Sequence, residues 1–220
     1  MVPGLRCRLF IVPAAVCISL GACQSLNSGA LNSGTKQAAE KSRSDAEVVE
    51  GANLGTCSDG LRATLRGQLQ VEYLGSHSAD PDLCVVRWDG KPHYYYLGFW
   101  NLDRADKLTP REQSALRQVL DGPPGTQVEV DAGSGRLWRA ASVMHVADPV
   151  VTVNGKRRAT AEIRVVRHDA LRRPGVVAET RYWIDRATGI VLRSAVVAHM
   201  ADGTEQATTT WEVETLQRAG

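Results

Sequence analysis

The sequence lacks the residue patterns that would assign a catalytic or metal-binding function directly. None of its five histidines pairs with another at the H-x-x-x-H spacing, and no two of its five cysteines form a C-x-x-C pair. No Gly-Lys-Ser/Thr phosphate loop is present, and Ser58 and Ser134 lack the strand–serine–helix context of a nucleophile elbow. We therefore predict a protein that is not an enzyme, with no catalytic residue, no metal ligand and no cofactor.

An excess of charge of one sign is also absent. Arg6 and Arg8 are the only charged side chains among the first 22 residues, and they account for the net charge of +2. The rest of the chain therefore carries equal numbers of basic and acidic side chains. Because a general nucleic-acid-binding protein carries a basic excess, we predict no nucleic acid among the partners.

The apolar run near the start of the chain is too short to cross a membrane. The apolar run Leu9–Leu20 is shorter than the ~20 apolar residues that a membrane-spanning helix needs. Arg6 and Arg8 precede it, and a basic segment followed by a short apolar run is typical of a signal peptide. We predict that residues 1–22 are a signal peptide.

The signal peptide ends in a motif that resembles the lipobox of bacterial lipoproteins, Leu20-Gly21-Ala22-Cys23. The resemblance implies that the thiol of Cys23 is diacylated, that cleavage follows Ala22, and that the new amine is acylated, typically with palmitate. Three acyl chains would anchor the protein firmly in the membrane, since each buried CH₂ contributes about 0.8 kcal/mol. Gln24, in place of Asp, implies the periplasmic face of the outer membrane.

Two cysteines remain for the folded part of the chain. Cys7 and Cys17 would leave with the signal peptide and Cys23 would be acylated, which leaves Cys57 and Cys84 as an even pair in an oxidising compartment. We predict that they form a disulfide, which would stabilise the fold by about 3 kcal/mol. A metal or redox pair is the alternative, but neither C-x-x-C spacing nor an adjacent histidine supports it.

The composition divides the mature chain into two parts. Residues 23–52 contain the lipidated cysteine and a segment rich in Ser, Gly, Asn, Ala, Lys and Glu, without aromatics. Such a segment cannot bury enough apolar surface to offset its ordering entropy, so we predict a flexible tether. Residues 53–220 are predicted to form a single β-rich periplasmic domain.

The predicted domain reads as a series of strands joined by short turns. Alternating apolar and polar residues over 65–73 predict one half-buried strand, and residues 75–82 are predicted to form a polar loop. Asp89-Gly90, Asn154-Gly155 and Asp202-Gly203 are typical of tight hairpin turns.

One helix interrupts the strands. Thr109, Pro110 and Glu112 form the start signal of a helix over 109–120, which Gly122 ends. Because one helix cannot cover both faces of so large a sheet, we predict a mainly β fold. It would be a curled antiparallel meander, or half-barrel, packed around one or a few helices. A two-sheet sandwich is the alternative.

The segment 182–193, Tyr-Trp-Ile-Asp-Arg-Ala-Thr-Gly-Ile-Val-Leu-Arg, resembles a hairpin of the lipoprotein-carrier superfamily, which includes LolA, LolB and the RseB-type stress sensors. In this hairpin Asp185 and Thr188 can satisfy backbone groups of the turn, and Gly189 permits a positive φ. The resemblance implies a curled antiparallel half-barrel with an apolar concave face.

These patterns predict a non-enzymatic envelope lipoprotein that binds an apolar ligand, or the acylated end of another lipoprotein, between the sheet and helix 109–120. The side chains predicted to contact the ligand are Tyr95, Leu97, Trp138, Trp183 and Trp211. One alternative is a structural or assembly accessory that engages an envelope protein partner through its surface. Another is a hydrolase whose catalytic residues the sequence does not reveal.

Replacing Cys23 tests the anchor. In cells fed an alkyne analogue of palmitate, we expect the wild type to be labelled and to sediment with membranes, and Cys23→Ser to do neither, because the acylated thiol is gone. Cys17→Ser is the matched control and should be labelled like the wild type. Labelling of Cys23→Ser, or an unlabelled wild type, would contradict the prediction.

Overall fold

Antiparallel strands make up most of the computed structural model, which describes residues 57–102, 108–131, 138–169, 177–200 and 202–219. All of these belong to one compact unit, Arg43–Gly220. The predicted signal peptide (1–22) and tether (23–52) lie outside the described residues, and so does Cys23. Among the described residues, no helix has the length and apolar character needed to cross a membrane.

Twelve strands belong to a single sheet whose neighbours are antiparallel. In chain order the strands are β1 Asp59–Leu65, β2 Gln70–His77, β3 Asp80–Trp88, β4 Lys91–Tyr96, β5 Trp100–Asn101, β6 Gln127–Asp131, β7 Trp138–Ala147, β8 Val150–Val153, β9 Lys156–Asp169, β10 Val177–Asp185, β11 Val191–His199 and β12 Glu205–Arg218. The order across the sheet is β5-β4-β3-β2-β1-β12-β11-β10-β9-β7-β6, and β8 pairs with β9 outside this path. The predicted curled meander is confirmed, and because β5 and β6 are free edges the sheet is open.

The described helix, α1, spans Pro110–Asp121 and begins as predicted. The side chain of Thr109 accepts a hydrogen bond from the Glu112 amide at 3.3 Å, and the Glu112 carboxylate accepts one from the Thr109 amide. The apolar stripe formed by Leu116, Val119 and Leu120 is buried, and it packs the helix against β6 and β7. The helix therefore covers the sheet on the side of its β6 edge.

Two predictions for the start of the domain were wrong. The alternating segment 65–73 is not one strand but a hairpin, with a turn at 66–69 in which Gly67 and Gln68 have φ of 88° and 69°. The apolar–polar alternation of the sequence continues through this turn because Leu65 and Leu69 lie at its two ends. The Leu65 amide donates to the Leu69 carbonyl at 2.9 Å. The predicted polar loop 75–82 is mostly strand, since only a two-residue turn separates β2 from β3.

The apolar side chains form two buried clusters, and the first also takes in the β4–β5 turn from the far end of the sheet. The first joins α1 to β6, β7, β9 and β10, with Leu116, Val143, Ile163 and Trp100 near its centre. The second joins β1, β2 and β3 to β11 and β12. Trp211 packs against both clusters, so the two halves of the sheet meet at this residue.

A disulfide holds the start of the described domain. Cys57 and Cys84 are bonded, as predicted, with their Cα atoms 5.3 Å apart. Both residues are buried in the second cluster, and Cys57 lies two residues before β1 whereas Cys84 lies within β3. The Ser58 amide then donates to the carbonyl of Thr188 at 2.9 Å, which joins the same segment to the β10–β11 turn.

That turn has the positive φ predicted at Gly189, but the Asp185 side chain bonds other side chains and not the backbone groups of the turn. Asp185 is fully buried and its carboxylate accepts hydrogen bonds from Thr188 and from Arg158, the latter at 2.7 Å. The Gly189 amide donates to the Asp185 carbonyl at 2.8 Å, and Gly189 has a φ of 68°. A buried carboxylate is stable only when it is paired, so Arg158 on β9 fixes the position of this turn.

The β4–β5 turn lies directly against the β10–β11 turn. Leu97 and Gly98 both have positive φ, 52° and 77°, which reverses the chain between Tyr96 and Trp100. A Cβ at Gly98 would lie 2.3 Å from the carbonyl oxygen of Gly189, so only glycine fits there. The two turns thereby bring the two halves of the sheet together.

Alanine substitutions at Gly90 and Gly98 distinguish the energetic cost of the contact with Gly189 from the cost of a positive φ. Gly90 has a φ of 72°, similar to that of Gly98, but a Cβ there would meet nothing within 4 Å. We expect Gly90→Ala to cost about 1 kcal/mol of unfolding free energy, and Gly98→Ala to cost at least about 2 kcal/mol more, since the Gly189 carbonyl must move. Urea denaturation measures the unfolding free energy of both variants, and equal losses would contradict the close contact between Gly98 and Gly189.

Candidate functional site

An apolar cavity of about 180 Å³ lies where the two buried clusters meet. Among the described residues its lining contains no charged side chain, and six of the eleven that line it are aromatic. The lining residues are Tyr73, Val86, Trp88, Tyr95, Gly98, Phe99, Tyr182, Val191, Ser194, Thr210 and Trp211. Thr210 is exposed, so the cavity reaches the protein surface on that side.

Two close aromatic pairs form the walls of the cavity, one edge-to-face and one tilted. The rings of Trp88 and Trp211 have centroids 5.7 Å apart at 66°, and the rings of Phe99 and Tyr182 have centroids 5.6 Å apart. The indole N–H of Trp211 donates to the carbonyl of Val191 at 3.1 Å, which fixes the orientation of its ring. Aromatic pairs of this kind give rigid apolar walls.

The polar atoms of the lining fall into two kinds. At the exposed side, Ser194 Oγ and Thr210 Oγ1 lie 3.0 Å apart and hydrogen-bond to each other. Within the described residues, the hydroxyl of Tyr73 and the indole N–H of Trp88 are buried and have no hydrogen-bond partner. Burial, with a smaller contribution from Tyr95, raises the pKa of Tyr73 well above its ordinary value, so its hydroxyl stays protonated and can donate.

The five residues predicted to contact a ligand do not all lie together. Tyr95 and Trp211 line the cavity, whereas Leu97 is buried in the first cluster beside α1. Trp183 pairs in register with Glu162 and Arg193, and the Arg193 guanidinium stacks on its ring at 5.0 Å, so it is not part of the lining. Trp138 is the first residue of β7, and its side chain lies outside the described part.

The predicted position of the ligand, between the sheet and the helix, differs from that of the cavity. No residue of α1 lines the cavity; the contact between helix and sheet is filled by Leu116, Val119 and Leu120. A void beside Arg117 and Leu120 has only about 10 Å³, less than one water needs. The expected site was displaced because the β4–β5 turn inserts Phe99 and Trp100 into the space that the sequence left open.

Sequence reasoning missed Tyr73, Val86, Trp88, Phe99 and Tyr182 as lining residues. Register pairs Tyr73 with Val86, and paired residues of an antiparallel sheet share a face, so alternation in β2 and β3 could have identified both. Tyr182 belongs to the hairpin motif quoted above. Phe99 could not be placed, because its direction depends on the positive φ of Leu97 and Gly98.

Other polar clusters serve the fold. His145 is fully buried, its Nδ1 lies 2.7 Å from the Gly122 carbonyl and its Nε2 lies 2.9 Å from the Asp148 carboxylate. Burial raises the pKa of Asp148, but hydrogen bonds and charge from Arg186 and His145 outweigh it and hold this pKa below its ordinary value. The cluster thus joins the end of α1 to the β7–β8 turn.

A second polar cluster lies near the start of β10 and at the end of β11. Glu179 is buried and accepts hydrogen bonds from Arg181 at 2.8 Å and from His199 at 3.0 Å. Both clusters satisfy buried groups with their own neighbours. No group of three His, Cys, Asp or Glu side chains within the described ranges could hold a metal ion.

Comparisons with known proteins assign no family. No family model matches the chain, and no curated protein matches its sequence. The crystal structure of the hypothetical lipoprotein YmcC from Escherichia coli K12 is similar with a TM-score of 0.40 and 14% identity, over 77% of this chain and 93% of that one. A likeness at this level assigns neither a fold nor a function.

Two tyrosine-to-phenylalanine substitutions test the unpartnered hydroxyl. Tyr73→Phe removes a buried group without a partner, so we expect the unfolding free energy to stay constant or to rise by about 1 kcal/mol. Tyr96→Phe is the matched control, because the Tyr96 hydroxyl donates to Asp82 at 3.2 Å, and its loss should cost about 1 to 2 kcal/mol. If Tyr73→Phe lowered the unfolding free energy as much as Tyr96→Phe does, the result would show that the Tyr73 hydroxyl has a partner.

Proposed function

We propose that the protein is a non-enzymatic envelope lipoprotein, anchored through acylated Cys23, that binds an apolar group in the cavity between its two core clusters. The observation that carries this proposal is the aromatic, uncharged lining of the 180 Å³ space. Binding sites for small ligands are concave and mainly apolar, with few polar groups. This cavity has that character, and its position between two halves of a sheet is typical of such sites.

The size of the cavity limits what it can hold. Apolar cavities of about 150 Å³ stay dry and bind a ring of the size of benzene, whereas drug-sized ligands occupy about 300–1,000 Å³. A space of 180 Å³ therefore accepts one ring or a short stretch of alkyl chain. It would take part of one acyl chain, and the three chains of an acylated lipoprotein would need a wider opening.

The driving force would be burial of the bound group. Each Å² of apolar surface removed from water contributes about 25 cal/mol, before the cost of ordering the ligand. The walls require little reorganisation because Trp211 is already fixed by its hydrogen bond to Val191. The half-buried rings of Trp88 and Tyr95 lie at the surface of the domain, where an incoming group would first make contact.

Filling the cavity tests the proposal. Val86 is buried and lines the cavity, so Val86→Phe should place a ring in the empty space. The assay is calorimetric titration of cumene (isopropylbenzene) into the full chain carrying Cys23→Ser, which has no acyl chain of its own. We expect Val86→Phe to weaken cumene binding at least about tenfold. If Val86→Phe does not fold, Val191→Phe is the alternative cavity-filling variant.

The matched control is Trp183→Phe. It changes an aromatic residue of the same sheet whose side chain contacts Arg193 and does not line the cavity. Its affinity for cumene should equal that of the unsubstituted protein. Absence of cumene binding, or equal binding by the cavity-filled variants, would contradict the proposal and would turn attention to the outer surface and a protein partner.

A further inference from the structure

The face of β11 that lines the cavity continues beyond it into solvent. Ser194 lines the cavity and is 7% exposed, whereas Val196, the next residue on the same face, is 44% exposed. The register shows that the face is shared, since Ser194 pairs with Tyr182, which also lines the cavity, and Val196 pairs with Thr180. An open part of the sheet therefore adjoins the cavity.

This open part presents a row of apolar side chains. After Ser194, the residues of β11 on this face are Val196 and Ala198, and Met200 follows directly after the strand. The Met200 amide still donates to the Thr204 carbonyl at 2.8 Å, so the alternation extends to Met200, which is 48% exposed. We call the row Val196, Ala198 and Met200 the β11 strip.

The charged side chains of the neighbouring strands lie on the opposite face. Val196 is flanked by Thr180 and Thr208, and Ala198 is flanked by Gln206, none of which is charged. On β9, Arg167 lies on the face of the strip, but its guanidinium stacks on Trp100 at 5.2 Å. The charged residues of β10, β11 and β12 that alternate with the strip are Glu179, Arg181, His199 and Glu205.

The usual arrangement of a sheet is reversed at this position. Antiparallel sheets normally turn apolar residues to the core and charged residues to water. Here Glu179 is 2% exposed and is held by Arg181 and His199, whereas Val196 on the uncharged face is open to solvent. Exposed apolar surface is typical of a binding surface, and this one is continuous with the cavity lining.

The strip has the length of an acyl chain. A strand advances about 3.3 Å per residue, so Ser194 and Met200 lie about 20 Å apart. One acyl chain of a membrane lipid spans half of a hydrocarbon core of about 30 Å, which is about 15 Å. Because the cavity alone accepts only about one ring, a chain whose end fills it meets apolar surface along its remaining length.

We propose that the ligand is an alkyl chain too long for the cavity, with its end between the aromatic walls and the remainder on the β11 strip. This inference rests on the proposed function, because it extends the same site and names the class of ligand. A ligand of the size of one ring would occupy the cavity alone and would gain nothing from the strip. A protein segment or a second copy of the chain on the strip is the alternative that the test excludes.

Two alcohols of different chain length test the strip. The alkyl part of 1-hexanol is about as large as one ring, whereas that of 1-decanol extends beyond the cavity. Calorimetric titration of each into the full chain with Cys23→Ser gives the ratio of decanol to hexanol affinity. The strip variant adds Val196→Thr and Met200→Gln, which keep the size of the side chains and make them polar.

The matched control adds Val150→Thr and Leu74→Gln instead. Val150 is 44% exposed on β8 and Leu74 is 40% exposed on β2, so both resemble the strip residues in exposure. Neither belongs to the strip or to the cavity lining. The control therefore measures the effect of adding two polar side chains elsewhere on the surface.

We expect decanol to bind at least about tenfold more tightly than hexanol in the protein with Cys23→Ser and in the control. A fully buried CH₂ strengthens binding about fourfold, and an open strip that covers one side of the chain should give about twofold. In the strip variant the ratio should fall at least about threefold. The hexanol affinity should be the same in all three proteins, because the cavity is unchanged.

Several results would overturn the inference. If hexanol binds but decanol binds no more tightly, the site ends at the cavity and the proposed function still stands. If the ratio is the same in the strip variant, the chain does not lie on the strip, and a change of oligomeric state in that variant would assign the strip to a contact between copies. An equal fall of the ratio in the control would show that the effect is not specific to the strip. If neither alcohol binds, the inference and the proposed function both fail.

Discussion

The close approach of Gly98 to the carbonyl oxygen of Gly189 is the constraint on which the shape of the sheet depends. The pairing of twelve antiparallel strands in a sheet with free edges does not by itself fix the curvature of that sheet. Here the β4–β5 turn reaches across and lies on the β10–β11 turn, where no side chain at Gly98 would fit. Buried Asp185, paired with Arg158, holds that turn in place, and the Ser58 amide ties the start of β1 to it. The disulfide between Cys57 and Cys84 adds a covalent link beside the same point.

The cavity follows from this arrangement. The first apolar cluster joins the β4–β5 turn to α1 and the β6 end of the sheet, and among the described residues Trp211 packs against both clusters. Where the clusters meet, the lining side chains leave a space of about 180 Å³. Its walls are mainly aromatic and it opens to the surface beside Thr210, which suits the entry of a small apolar group.

The sequence predicted the parts that depend on local patterns and missed the parts that depend on distant contacts. The helix start at Thr109, the disulfide and the positive φ at Gly189 came out as expected because each is specified by residues within a few positions, or by the number of cysteines left to pair. The hairpin at 66–69 was missed because Leu65 and Leu69 continue the alternation of one strand. Two of the five predicted contact residues, Tyr95 and Trp211, line the cavity. Trp183 does not line it, because the side of the sheet that it faces follows from the register of β10 with β9 and β11. The displacement of the site from the helix could not be foreseen, since it results from Phe99 and Trp100 turning inward after two residues with positive φ.

The central claim is that an apolar cavity able to hold a small apolar group lies where the two core clusters meet, and xenon tests it most directly. Xenon enters empty apolar cavities of this size and scatters X-rays strongly. In a crystal pressurised with xenon, the account predicts a strong peak bounded by Trp88, Phe99 and Trp211, with no ordered water at that position. A cavity filled by side chains or by hydrogen-bonded water, with no xenon peak, would contradict the account.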